Sequence, residues 1–266
     1  MSVESGTGLR VLVTSGGTSE KIDQVRTITN MSTGRLGSLI ADAFTREGGC
    51  VTYLCGEGSL LPSLPVRQVH TVGGVRQLME RLELLLGEQQ YDCVVHSMAV
   101  SDYTVRTATT ARELAREIAQ ALARESVAPG DTGEERLNGV VRAAIGAYVQ
   151  PSEKKISSNL EDMVLLMEKT PKVIGRIKEL QPETTLVGFK LLAGVSEEEL
   201  VRVARELMAR SRSDFVLAND LEGISGDRHK AVLVCPNGGL RHLDTKQEIA
   251  RAIVESVLEE KGRRKA

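Results

Sequence analysis

The residues best suited to chemistry lie at positions 26–37, Arg-Thr-Ile-Thr-Asn-Met-Ser-Thr-Gly-Arg-Leu-Gly. Polar Asn30, Ser32 and Thr33 lead into Gly34 and Gly37. Leu36, Leu39, Ile40, Ala43 and Phe44 follow at helical spacing. A second glycine turn, Ser15-Gly16-Gly17-Thr18, closes the apolar run Leu9–Thr14. A strand, a glycine turn and a helix N-terminus whose N–H groups face outward are the parts of a nucleotide phosphate site. Asn30 adds a neutral amide donor. That suits a site where negative charge develops on an acyl or phosphoryl oxygen.

Three further polar motifs fall at or near the ends of apolar runs. They are His96–Tyr103 after Cys-Val-Val, Gly188-Phe189-Lys190, and Ala218-Asn219-Asp220. Each alone reads equally as a turn. Aligned on one sheet edge, they point to a ligand crevice. Asp102 could accept from a hydroxyl, help hold a metal, or cap a turn. Lys154-Lys155 could close over a polyphosphate from a movable flap, or be a solvated pair. Lys190 lies in an apolar run, so its ammonium must reach the sheet end or an anion. Aromatic residues are only 3% of the chain, which makes Phe189 a candidate base contact by scarcity.

The elements that must position these residues alternate between strand and helix. Strands are expected at Leu9–Thr14, Cys50–Cys55, Asp92–Ser97, Met163–Glu168, Leu186–Leu191, Asp214–Ala218 and Ala231–Val234. Helices are expected at Gly34–Glu47, Gly73–Leu86 and Ala111–Arg124. Three more should open at Thr170-Pro171, at the capping box Ser196–Glu199 and at the capping box Thr245–Glu248. Pro236–Gly239 reads as a turn. This order predicts a Rossmann-like, doubly wound, three-layer α/β fold with a mainly parallel sheet and helices on both faces. Residues 1–266 read as one domain, with 104–153 a variable insertion and flap and 261–266 a frayed tail.

The chain has 266 residues and a net charge of −2, which offers no field for nucleic acid or an anionic membrane. No segment approaches a bilayer-spanning length, and no signal peptide is evident, so a cytoplasmic protein is expected. Cys50, Cys55, Cys93 and Cys235 read as small core hydrophobes, and Cys50-x4-Cys55 fits no common zinc pattern. A dinucleotide oxidoreductase would need a Gly-x-Gly fingerprint and a Tyr-x-x-x-Lys pair. The first turn has only Gly16-Gly17, and four residues after Tyr103 stands Thr107. A non-catalytic nucleotide sensor of the same fold is the alternative of another class.

Together the motifs resemble phosphopantothenoylcysteine synthetase (phosphopantothenate–cysteine ligase), a family of coenzyme A biosynthesis, in its stand-alone bacterial form. The resemblance runs from about Leu9 to Leu258 and is weakest in the insertion. It rests on Val-Thr-Ser-Gly-Gly-Thr (13–18), Asp-x-Val-Arg (23–26), Asn-x-Ser-Thr-Gly-x-x-Gly (30–37) and Ala-Val-Ser-Asp-Tyr (99–103). Lys-Ile (155–156), Thr-Pro-Lys (170–172), Gly-Phe-Lys-Leu (188–191) and Ala-Asn-Asp (218–220) complete it.

The resemblance implies that 4′-phosphopantothenate is activated by CTP, or by ATP, as an acyl-nucleotidylate that L-cysteine then attacks. It implies Mg²⁺ carried mainly by the phosphates, no flavin, and a homodimer. Asn30 would stabilise the acyl-nucleotidylate, and Lys155 would act from the flap. Gly16, Ser32, Gly34 and Gly37 would cradle the triphosphate. Met98, Ala99 and Asp102 would border both substrates. Lys172, Val173, Ile174, Phe189, Lys190 and Asn219 would line the nucleotide pocket. Arg26 would reach phosphopantothenate in the neighbouring subunit. Ser157, Ser158, Leu207 and Ser211 stand where bifunctional relatives carry lysines, and Arg210, Arg212 or Lys190 could supply that charge.

Overall fold

The computed structural model describes residues 8–124, 133–148 and 162–265. The chain falls into two compact units. One comprises residues 1–19, 29–101 and 171–266, and the other residues 20–28 and 102–170.

The first unit holds one eight-stranded sheet. Its strands are β1 (Arg10–Ser15), β4 (Cys50–Gly56), β5 (Gln68–Val72), β6 (Cys93–His96), β9 (Thr185–Leu192), β10 (Phe215–Ser225), β11 (Arg228–Val234) and β12 (Leu240–Thr245). Their order is β12-β11-β10-β9-β6-β1-β4-β5. The strands from β10 through β5 are parallel, and β11 and β12 add antiparallel pairs. The chain moves outward from β1 to β4 and β5, then returns to place β6 on the other side of β1. The β1/β6 boundary is therefore the topological switch point, where such sheets bind ligands.

The inner strands β1, β4, β6 and β9 are largely buried on both faces because helices cover both. On one face, α1 (Arg35–Arg46) and α7 (Lys246–Lys265) bury Ile40, Phe44, Ile249 and Ile253 against Val11, Val13, Val187 and Phe215. On the other, α2 (Val75–Glu88) and α5 (Val173–Leu180) bury Leu78, Leu82 and Ile177 against Leu12, Val94 and Leu186. Helix α6 (Glu197–Ser211) packs Leu200, Ala204 and Leu207 on Val216 and Ala218. Both capping boxes open their helices. Ser196 Oγ accepts from Glu199 N at 3.3 Å. Thr245 Oγ1 accepts from Glu248 N at 3.2 Å, and Glu248 Oε2 accepts from Thr245 N at 3.2 Å.

The second unit contains the tip of the short β2 (Ser19–Lys21) and β3 (Thr27–Thr29) pair. It also holds the antiparallel strands β7 (Tyr103–Thr109) and β8 (Val164–Lys169), and helices α3 (Ala111–Arg124) and α4 (Glu134–Ala147). Arg106 donates to the carbonyls of Ile145 at 2.7 Å and Gly146 at 2.9 Å, tying β7 to the end of α4.

Several expected elements differ. Helix α5 starts at Val173 with Lys172 as its N-cap, not at Thr170-Pro171. Thr170 instead extends the β7–β8 pairing, donating its N–H to the Asp102 carbonyl at 3.0 Å. That ladder draws β8 out of the main sheet, where the alternating order had put it. Strand β10 runs on to Ser225, so Asn219 and Asp220 lie within it. The tail is helical to Lys265. Lys261 pairs with Asp92, and Arg264 with Asp214 at 2.5 Å, and these ties hold the end of α7 in place.

Asp92 also accepts the Arg10 N–H at 2.8 Å. Burial pushes its carboxyl up, but Lys261 and the Arg10 N–H outweigh this and hold it below the usual carboxylate range. A carboxylate with a depressed folded pKa stabilises the fold above its unfolded pKa, near 4, and loses that contribution as pH falls through the folded value. Wild type is therefore expected to exceed Asp92→Asn in melting temperature at neutral pH, with the gap closing below about pH 4. A gap independent of pH would assign the tie to packing alone.

Candidate active site

At the switch point, β1 ends in Ser15 and turns through Gly16, whose φ of +79° lies in the left-handed region open to glycine. The β6 loop runs alongside. Ala99 N donates to the Gly16 carbonyl at 2.8 Å, and Thr18 N to the Ala99 carbonyl at 3.1 Å. Helix α1 begins beside this turn. Gly34, also left-handed at φ +77°, is its N-cap and brings no capping side chain, the Arg35 N–H donates to Thr33 Oγ1 at 3.4 Å, and the first turn carries no acidic residue. Ser15 Oγ donates to the Gly34 carbonyl at 3.1 Å. Gly37 fits because it lacks a side chain: a Cβ there would lie 2.1 Å from Ser15 Oγ and 2.9 Å from Ser97 Oγ. The α1 N-terminus thus sits directly on the β1 turn, the arrangement that receives phosphate.

Asn30 joins this group. Its Nδ2 donates to the Ala99 carbonyl at 2.9 Å and to Ser101 Oγ at 3.3 Å. The amide expected to face a reacting carboxylate is therefore turned toward the β6 loop. A carboxylate can replace only the longer of these two bonds without releasing Asn30 from the backbone. Thr18, fully buried, completes the tie: its Oγ1 donates to Ser101 Oγ at 3.1 Å and accepts the Ser101 N–H at 2.9 Å. Removing the Ser101 hydroxyl takes away the acceptor of both the Asn30 and the Thr18 bonds, each a modest contribution. Ser101→Ala is expected to lower turnover roughly three- to tenfold and the melting temperature by a few degrees, because the buried Thr18 hydroxyl loses its acceptor. Unchanged turnover would leave the hydroxyl without a part in orienting Asn30.

Met98 is buried and packs in the same apolar cluster as Val173. Val173 is thus a core residue, and only its backbone belongs at the uncapped N-terminus of α5. Ile174 is half-buried against Gly188, where a Cβ would meet its Cδ1 at 3.0 Å. Phe189 packs in the cluster on the α1 face, and Asn219 lies buried on the neighbouring β10. Lys190 alternates to the α5–α6 face and is half-buried. Leu207 is core, and Ser211 is buried with its Oγ donating to the Leu207 carbonyl at 2.6 Å, so neither position leaves room for a family lysine. Ser32 and Lys172 are exposed.

The first unit therefore brings together Gly16, Asn30, Gly34, Gly37, Met98 and Ala99. Asp102 and Arg26 belong to the second unit, where Asp102 is exposed. Lys155, with the Lys-Ile-Ser-Ser stretch, lies outside the described residues. Sequence reasoning gave no role to Ser15, Thr18, Ser97 or Ser101. All four stand in the quoted motifs, but a hydroxyl's partner depends on which loops the sheet order makes adjacent.

His96 ends β6. It is buried, its Nδ1 lies 2.8 Å from Thr14 Oγ1, and burial pushes its pKa down to about 4. The Thr14 hydroxyl is itself fully buried and cannot reach a substrate. Cys55 and Cys93 are buried, Cys50 and Cys235 are half-buried, and all four are free thiols. Burial pushes the Cys55 and Cys93 thiols up. Among the described residues, no group of three or more His, Cys, Asp or Glu side chains could hold a metal, and no helix is long and apolar enough to cross a membrane.

Sheet order and site define a Rossmann-type α/β protein with a helix N-terminus seated on the glycine turn at its switch point. The family description "DNA/pantothenate metabolism flavoprotein C-terminal domain" matches residues 6–128 and 131–260, and the chain belongs to that family. It is 35% identical over 227 residues to the coenzyme A biosynthesis bifunctional protein CoaBC of Thermococcus kodakarensis, covering 85% of this chain and 45% of that protein. The chain spans about half the length of the curated relatives it matches. The crystal structure of the DNA/pantothenate metabolism flavoprotein from Streptococcus pneumoniae superposes with a TM-score of 0.76 at 35% identity, covering 95% of this chain and 100% of that one. The C-terminal domain of a CoaBC protein shares the fold, with a TM-score of 0.65 at 22% identity, covering 96% of this chain and 98% of that one.

Proposed function

We propose that this chain is a phosphopantothenate–cysteine ligase. The carboxylate of 4′-phosphopantothenate attacks the α-phosphorus of CTP, and pyrophosphate leaves. The amine of L-cysteine then attacks the acyl carbon, forming the amide and expelling the nucleoside monophosphate. A carboxylate is a poor acyl donor, so it needs such a leaving group. No nucleophilic side chain is required, and catalysis is positioning and charge stabilisation.

The observation that carries this reading is the Asn30 amide, tied to the Ala99 carbonyl beside the glycine turn and the open α1 N-terminus. The α1 N–H groups receive phosphate, and Asn30 donates to the acyl oxygen. Phe189 and Asn219 border the base, and Lys190 supplies the cation that Leu207 and Ser211 do not. Arg26 meets the phosphate of phosphopantothenate in a homodimer. Among the described residues no group of three or more His, Cys, Asp or Glu forms an all-protein metal cage. Magnesium would enter bound to the triphosphate, as it usually does.

Pyrophosphate release tests this proposal. Release from CTP or ATP is expected only with phosphopantothenate present, and sustained turnover only with cysteine added. Comparing the two nucleotides ranks them. Tight nucleotide binding without release would favour the non-catalytic sensor instead.

A further inference from the structure

The turn between β2 and β3 carries a carboxylate to which the reaction above assigns nothing. The Asp23 side chain is 1% exposed, while that of Arg26, three residues on, is 40% exposed. One oxygen of Asp23 fixes the turn: Oδ1 accepts the backbone N–H groups of Val25 and Arg26, both at 2.8 Å. The other holds the guanidinium: Oδ2 accepts Arg26 Nε–H at 3.1 Å and Nη2–H at 2.7 Å. The Ile22 N–H closes the turn on the Arg26 carbonyl at 2.9 Å. Asp23 thus holds both the backbone and the side chain of Arg26.

An exposed arginine has much rotamer entropy to lose when it is immobilised on a ligand. Here Asp23 has removed much of that freedom in advance. The guanidinium has five N–H donors in a planar fork, and the contacts to Oδ2 run along one edge. A fork held in a fixed plane matches phosphate oxygens bidentately. The same pairing offsets the arginine's net charge. Affinity then depends on geometry more than on attraction for any anion.

We infer that Asp23 is a positioning residue that presents Arg26 to the phosphate of phosphopantothenate. This rests on the reading that Arg26 meets that phosphate. Asp23 touches no substrate and acts through the arginine.

The test is a double-mutant cycle with Asp23→Asn, Arg26→Ala and the pair, each assayed for KM of phosphopantothenate, KM of nucleotide and kcat. Asp23→Asn keeps an oxygen for the turn and removes the charge. Asp23→Ser, whose hydroxyl can still bond the turn, replaces it should Asp23→Asn fail to fold. We expect Asp23→Asn to raise KM for phosphopantothenate roughly tenfold, with the nucleotide KM and kcat little changed. The double variant should be no worse than Arg26→Ala alone. Turnover of pantothenate, which lacks the phosphate, should not respond to Asp23→Asn. An equal loss in the Arg26→Ala background, or a loss shared by pantothenate, would make Asp23 merely structural and overturn the inference. A raised KM in Arg26→Ala with none in Asp23→Asn would also overturn it. An unchanged KM in Arg26→Ala would instead remove the underlying reading of Arg26, and the inference with it.

Discussion

Asn30→Asp is expected to fold and to bind nucleotide, yet to form the amide at least about a hundredfold more slowly. The substitution exchanges one donor for an acceptor of nearly the same shape. In the native site Nδ2 faces the Ala99 carbonyl at 2.9 Å. A carboxylate there sets oxygen against oxygen and repels the incoming substrate carboxylate as well. Removing a single oxyanion donor elsewhere costs roughly a hundred- to a thousandfold in turnover, and here an added negative charge compounds it. Turnover measured alongside circular dichroism separates chemistry from folding. A variant with near-normal turnover would take Asn30 out of the mechanism.

Gly37→Ala should be as damaging through sterics alone. Its Cβ would sit 2.1 Å from Ser15 Oγ and 2.5 Å from Ser15 Cβ. Ser15 cannot step aside, because it is buried and its hydroxyl is bound to the Gly34 carbonyl. The α1 N-terminus must move off the β1 turn. Overpacking of this kind costs about 1–3 kcal/mol, so the melting temperature should fall by several degrees. The larger effect should fall on nucleotide KM, raised more than about tenfold because the anion cradle opens. Gly139→Ala, in α4 with nothing within 4 Å of its Cβ, is the control and should be neutral or slightly stabilising. A Gly37→Ala enzyme with native nucleotide KM would detach α1 from phosphate binding.

Most of the first unit was legible because its signals are local. The apolar runs of β1, β4 and β6 and the stripe of α1 each announce their own element. Ser196 and Thr245 cap the helices their spacing promised. The edge strands β5 and β12 carry little apolar residue run, since one side of each faces solvent, and they were missed. Strand β7 and helix α4 were absorbed into the insertion, because the Pro-, Gly- and Asp-containing stretch at 128–135 reads as a turn region. Thr170 was misread because the cap signal is the same whether a threonine starts a helix or ends a strand. Pairing with a strand some sixty residues away decided it. The site divided in the same way. Gly16, Asn30, Gly34 and Gly37 stand together in short motifs, and the structure keeps them together. The hydroxyl tie from Thr18 to Ser101 and the clamp of Asp23 on Arg26 depend on geometry that spacing does not reveal.

The central claim is that the carboxylate attacks the α-phosphorus and that an acyl-nucleotidylate forms. The most direct measurement follows the carboxylate oxygens. Phosphopantothenate labelled with heavy oxygen in its carboxylate would be turned over with CTP and cysteine, and the products analysed by mass spectrometry. The proposed chemistry predicts one labelled oxygen in the nucleoside monophosphate and none in pyrophosphate, because the bridging oxygen leaves with the nucleotide. Label in inorganic phosphate, with a nucleoside diphosphate as co-product, would show attack at the terminal phosphorus and contradict it.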